Sequence, residues 1–181
     1  MNTTAVHEQP LLFTDDQLQE MNRILLRLAD QIGSPLVMVS DISGRLVLYN
    51  GRLSSSQSTG LSALAAGGFA AGVEIGKFLG LQSNQGFQQQ LLEGNAASLY
   101  TLTIGDELIL IVAFTHKTTL GMVRLFSQET QKRLLRLVET AVITRNEASA
   151  KPDKPLARGF TDGLRDQLDE LFSNTINQDV A

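Results

Sequence analysis

Between residues 60 and 80 the chain places glycines where a helix should run. Gly68, Gly72, Gly76 and Gly80 recur every four residues, and the first three, with Gly67, lie inside a stretch, Leu61 to Leu79, whose apolar spacing predicts a helix. An interior glycine costs a helix roughly 1 kcal/mol relative to alanine. Four of them cost about 4 kcal/mol, a large share of the roughly 5–15 kcal/mol by which a domain is stable. Close approach by another backbone or a sheet is what offsets such a cost. Placed at steps of about 100°, Leu61, Leu64, Ala65, Gly68, Gly72, Ile75 and Leu79 share one side, which is expected to face a sheet. The opposite side collects Ala63, Ala66, Ala70, Val73, Glu74 and Lys77. A solvated face would carry more long charged residues. Either the helix is buried all round or this small-residue face docks a protein, and the second reading is favoured because exposed apolar patches mark partners.

Two motif look-alikes in this stretch fail. Gly76-Lys77 resembles the end of a phosphate-binding loop, but that motif needs Gly at 71 and Ser or Thr at 78, where the chain has Ala71 and Phe78. The glycine ladder resembles a transmembrane dimer motif, but Glu74 and Lys77 interrupt it.

The flanking sequence reads as one mixed domain. Residues 1–13 are expected to be a flexible leader, without the basic start and apolar core of a signal peptide. Thr14 with Asp15 and Asp16 starts a helix, and Leu18, Met21, Ile24, Leu25, Leu28 and Ile32 form its apolar face up to Gly33 and Pro35. Leu36–Asp41 and Leu46–Tyr49 are predicted strands around a Ser43-Gly44 turn, followed by a loop from Gly51 to Thr59. Beyond the glycine helix, Phe87–Leu92, Leu99–Ile104 and Leu108–Phe114 are predicted strands. The last lacks alternation and is expected to be a central strand covered on both faces. Thr118 or Thr119 then caps a long helix with Met122, Leu125, Leu134, Leu137, Val138 and Val142 inward. The pattern predicts an α/β (α+β) domain over 14–146: a five-stranded, mainly antiparallel sheet with helices on both faces, in the order α-β-β-α-β-β-β-α. A linker over 147–159, a tethered amphipathic helix over 160–173 and a flexible tail over 174–181 complete the expectation.

Composition excludes several chemistries. The chain has 15 basic and 19 acidic residues, a net charge of −4, no Cys and two His. A nucleic-acid binder would carry a basic surface, and disulfides, thiol catalysis and Cys-based zinc sites are all ruled out. No catalytic residue, metal site or cofactor is expected: His7 and His116 lack an acid partner nearby in sequence, and no G-x-S-x-G elbow is present. Asp15-Asp16 reads as a helix start, and Asp41 and Asp106 as turn residues. No run approaches the roughly 20 apolar residues of a membrane span. Residues 151–181 carry four basic against six acidic side chains, a balance of −2, which argues against a membrane-surface role. A cytoplasmic protein is expected.

The strand pair Leu36-Val-Met-Val-Ser-Asp41 / Gly44-Arg-Leu-Val, the Ala/Gly helix, Gly94-Asn-Ala-Ala-Ser-Leu-Tyr100 and Leu108–Phe114 followed by Thr118-Thr-Leu-Gly-Met-Val-Arg124 together resemble a bacterial Roadblock (dynein light chain) domain, of profilin-like fold. Within that family the likeness is to the mutual gliding protein B type, which partners a small Ras-like GTPase in cell polarity and motility; Asp166-Gln-Leu-Asp-Glu-Leu-Phe-Ser173 is similar to that subgroup's C-terminal peptide. The resemblance implies a homodimer with Gly68, Gly72, Gly76, Phe87, Gln89 and Leu91 at the interface. It implies one GTPase per dimer, held by Ala63, Ala66, Gly67, Ala70, Glu74 and Lys77 of the paired helices. It further implies a GTPase-activating role without an arginine finger, placement at a cell pole, and a tail contact through Phe160, Leu164, Leu168, Leu171 and Phe172 linked to nucleotide exchange. A non-catalytic scaffold of the same architecture, and a small-molecule sensor, are the alternatives.

Overall fold

The computed structural model describes residues 13–81 and 86–150, with side chains through residue 143. The leader, the tail segment 160–173 and its candidate contact residues lie outside the described residues.

Helix α1 spans Asp15–Ile32. Thr14 and Gln17 form a reciprocal capping box: the Thr14 side chain accepts from the Gln17 backbone N–H, and Gln17 Oε1 accepts from the Thr14 N–H at 2.9 Å. Gly33 ends the helix at φ +58, the left-handed conformation glycine adopts without strain. Strands β1 (Leu36–Asp41) and β2 (Leu46–Gly51) follow, then helix α2 (Ser55–Phe78). The expected loop from Gly51 to Thr59 is therefore cut short. Ser54 and Gln57 build a second capping box, so the serines after it are helical. Strands β3 (Gln89–Leu92), β4 (Ser98–Ile104) and β5 (Leu108–Phe114) and helix α3 (Leu120–Ala150) complete the order. β3 starts two residues later than predicted. α3 is capped by Thr119, whose Oγ1 accepts from the Met122 N–H, and it continues past residue 146 to Ala150.

All four strand pairings are antiparallel, in the spatial order β2-β1-β5-β4-β3. β5 is the middle strand, and both its faces are buried. Leu108, Leu110, Val112 and Phe114 join Met21, Leu25 and Leu28 of α1 and Val123, Leu134 and Val138 of α3 in one core. Ile109 and Ile111 face the other way, toward Ala65, Ala66 and Phe69 of α2. The unbroken apolar run in β5 follows from this double coverage.

Two predicted inner-face residues of α3, Met122 and Leu125, are exposed. Val123 takes the inner position, together with Ser127 and Thr130, which are buried but polar and so escape an apolar-spacing count.

Candidate protein-docking surface

Helix α2 meets the sheet through small residues. Ser58, Ser62, Ala65, Ala66, Phe69 and Gly76 are its buried positions, and Leu61 and Val73 pack partly against the same core. The serines are tolerated there because their hydroxyls are satisfied: Ser58 Oγ donates to Ser55 O at 2.9 Å and Ser62 Oγ to Gly44 O at 2.8 Å. Gly44, in the β1–β2 turn at φ +91, lies so close to α2 that a Cβ on it would come within 2.8 Å of Ala63 Cα.

That seating rotates the helix away from the predicted orientation by about one residue, or roughly 100°. Of the side expected to face the sheet, Leu61 and Ala65 do so. Leu64, Ile75 and Leu79 do not: they are 76%, 55% and 66% exposed, and Phe78 beside them is 90% exposed. Beside Gly44 only small residues fit against the turn, which sets the rotation of the helix; Phe69 fills the interface further along, and Leu64, Ile75 and Leu79 are left on the outer side. The result is an outer side of α2 with Leu64 near its middle and Ile75, Phe78 and Leu79 at its C-terminal end as an exposed apolar stripe.

The glycine ladder runs along the flank of this stripe next to β3. Gly68 and Gly72 would place a Cβ 3.7 and 3.8 Å from the Gln90 side-chain amide, and Gln90 Nε2 donates to Gly68 O at 3.3 Å. Gly76 is buried, with Phe87 and Leu81 at 3.6 Å from where its Cβ would stand. It therefore packs within the chain and is not a free contact for a second copy. Gly80 falls beyond the helix at φ +74, where a Cβ would meet nothing within 4 Å, and its N–H donates to Lys77 O at 2.9 Å; its part is to turn the chain. β3 pairs with β4 on one side only and is one edge of the sheet. On it Gln89 is exposed and accepts from Tyr100 Oη at 2.6 Å, while Leu91 is half-buried against the α1/α3 core. Phe87, just before the strand, is 42% exposed.

The other flank of α2 borders a cleft of about 650 Å³. Ala66, Ala70, Glu74 and Lys77 line it from the helix, facing Thr103 and Ile109 on the sheet. Four of the six candidate GTPase contacts are thus brought together in one feature. Ala66 is buried and forms its inner wall. Ala63 is exposed beside Gly44, outside the cleft, and Gly67 is exposed on the outer surface. Glu74 and Lys77 pair with each other at 2.6 Å on the exposed helix surface, a contact of little energetic weight. The sheet-side lining was not foreseen. Its signal was the alternation in β4, where Tyr100, Leu102 and Ile104 face the thick core while Thr101 and Thr103 face the α2 layer.

Among the described residues no group of three or more His, Asp or Glu side chains could hold a metal ion, and no helix is long and apolar enough to cross a membrane. Among the described residues the one carboxylate with a clear shift is Asp41. Burial pushes its pKa up, but the Ser43 hydroxyl, the Arg45 backbone N–H and the Arg45 guanidinium outweigh this and hold it below the ordinary value. These contacts pin the β1–β2 turn that carries Gly44, so the shift is part of a structural clamp.

A five-stranded antiparallel sheet with two helices on one face, and on the other a single helix that leaves Leu64, Ile75 and Phe78 exposed, defines a mixed helix-sheet domain. The chain belongs to the Roadblock/LC7 domain family, whose pattern matches residues 21–114. It is similar in structure and sequence to Myxococcus xanthus MglB, with 30% identity and a TM-score of 0.62 over 67% of this chain and 96% of that one. The fold is likewise that of the gliding protein MglB from Thermus thermophilus (23% identity, TM-score 0.66, covering 73% and 98% of the two chains). An MglB described in a tetrameric arrangement also shares it (23% identity, TM-score 0.67, covering 74% and 98%). No curated protein sequence matches the chain.

Proposed function

We propose that this chain is an MglB-like regulator: a homodimer that binds a small Ras-like GTPase on its paired α2 helices and stimulates GTP hydrolysis, acting in cell polarity or motility. The observation that carries the reading is the outward apolar stripe of α2, Leu64, Ile75, Phe78 and Leu79, beside the open edge of β3. A stripe of this size is stable in water when a partner covers it. A second copy placed across a two-fold axis at β3 would bring its own stripe against it, with Gly68, Gly72, Phe87, Gln89 and Leu91 along the seam.

The helix pair made in this way offers Gly67, Ala70, Glu74 and Lys77 as the surface for one GTPase molecule. Activation then works through the GTPase's own residues, whose positions the docked dimer changes. This agrees with a sequence that carries no cysteine and no G-x-S-x-G elbow. The segment 160–172, with Phe160, Leu164, Leu168, Leu171 and Phe172, is assigned a separate contact on the GTPase that aids nucleotide exchange.

One set of assays tests the reading. GTP turnover by the cognate GTPase should rise with the wild-type chain and fall back with Ala70→Arg, which places a long charged side chain on the docking face. A chain ending at Ala150 should keep the dimer and change exchange. Unchanged turnover with the wild type, in the presence of a stable complex, would leave a scaffold in place of an activator.

A further inference from the structure

The cleft beside α2 has features that a flat helix surface lacks. Its helix side carries Ala66 and Ala70 with Glu74 and Lys77 at the margin, and its floor is Phe69, Val73 and Ile109. Its volume of about 650 Å³ is enough for several large side chains. Two of the polar groups at its margin are already engaged within the chain. Lys77 is paired with Glu74 at 2.6 Å, and Gln131 Nε2 donates to Thr103 O at 2.6 Å. A pocket for a small polar ligand needs convergent polar groups free to orient it. This one offers an apolar floor with much of its rim already paired.

The cleft also lies on the flank of α2 away from Gly68 and Gly72, which face β3. Phe87 lines the cleft as well as the proposed seam, so a second copy covering the apolar stripe and the β3 edge would close that end and leave the side between Ala70 and Thr103 open. Ala70, Glu74 and Lys77 belong both to the cleft and to the face assigned above to the GTPase, so the two surfaces are continuous.

From this we infer that the cleft is a socket: the docked GTPase inserts a large apolar side chain, aliphatic or aromatic, between α2 and the β4–β5 end of the sheet. The inference rests on the proposed GTPase-binding function and adds to it that the anchor of the complex is buried behind the helix rather than laid across its top. Anchors of this kind dominate binding energies because they fill a desolvated pocket. The alanines at 66 and 70 are then needed for their size, since any larger residue would occupy the space the partner uses.

The socket can be filled from either side. Ala70→Phe fills it from the helix. Thr103→Phe fills it from the sheet, away from the helix surface, and Thr103→Met is the gentler version if the aromatic side chain lowers stability. Binding of the GTPase, loaded with a non-hydrolysable GTP analogue, is measured calorimetrically to the full-length chain, with light scattering as the check on the dimer. Both substitutions should raise the dissociation constant on the order of thirtyfold, the loss seen when an anchor is removed, with the dimer unchanged. A loss with Ala70→Phe but none with either Thr103 variant would mean contact with the helix surface alone and would overturn the socket. A wild-type complex that all three variants leave intact would do the same while sparing the GTPase reading; no wild-type complex at all would remove both. A small apolar molecule retained by the wild-type dimer in native mass spectrometry and lost in Thr103→Phe would overturn the inference in favour of a ligand site. Tighter GTPase binding on removal of residues 151–181 in the wild type but not in Thr103→Phe would assign the cleft to that segment instead.

Discussion

Leu64→Ala isolates the exposed stripe of α2 from everything else in the domain. Leu64 is 76% exposed in the single chain, so trimming it removes almost nothing from the core and should leave the unfolding of the monomer unchanged. If a second copy covers it, the loss is different. Full burial of a leucine side chain is worth about 1.5–3 kcal/mol, and the three carbon atoms removed account for most of that. With three-quarters of the side chain available to be covered, each copy loses about 1.5 kcal/mol. A two-fold interface counts every substitution twice, so the dimer loses about 3 kcal/mol, on the order of a hundredfold in its dissociation constant. Sedimentation equilibrium over a wide range of protein concentration measures this directly. A change of less than about threefold, with the monomer still folded, would show that the stripe is not the dimer seam, and the placement of the second copy would have to be abandoned.

Two further outcomes follow from the β1–β2 turn. Gly44→Ala should be strongly destabilising in urea unfolding, by about 2–4 kcal/mol: the position has φ +91, and its new Cβ would meet the Ala63 backbone at 2.8 Å. A loss under about 0.5 kcal/mol would mean that α2 is free to move off the turn. Asp41 supplies a pH dependence. Its folded-state pKa lies below the ordinary 3.8, so its contribution is fully present above that value and disappears as pH falls through the lower, folded one. Asp41→Asn should lose stability at neutral pH and show a flatter stability profile below pH 3.8 than the wild type; equal slopes in acid unfolding would contradict the clamp.

Much of the fold was legible before any coordinates. α1 declared its cap, its inner face and its glycine stop, and β5 declared its central place by having no alternation. Each of these signals is local or repeats with the period of its element, and each element buries one face in the ordinary way. α2 behaved differently. It is apolar or small on every side, so a helical wheel has no polar face from which to fix its rotation. Large residues were expected inward, yet the close approach at Gly44 admits only Ser62, Ala65 and Ala66 there, with Ser62 made acceptable by its bond to the Gly44 carbonyl. The same cause explains Ala66, expected on the docking face and found buried, and Gly76, expected at the dimer seam and found against Phe87. In α3, Ser127 and Thr130 hid the inner face in the same way.

The sequence by itself therefore determined the family, the order of the elements, the sheet's central strand and the importance of the glycine-rich helix, because propensity, capping and periodicity are written in neighbouring residues. Only the tertiary structure decided which way that helix turns. Its rotation depends on a contact between Gly44 and Ala63, nineteen positions apart, and is set by how much room a turn leaves beside a backbone. The rotation so fixed leaves Leu64, Ile75 and Phe78 exposed, with the cleft on the opposite flank.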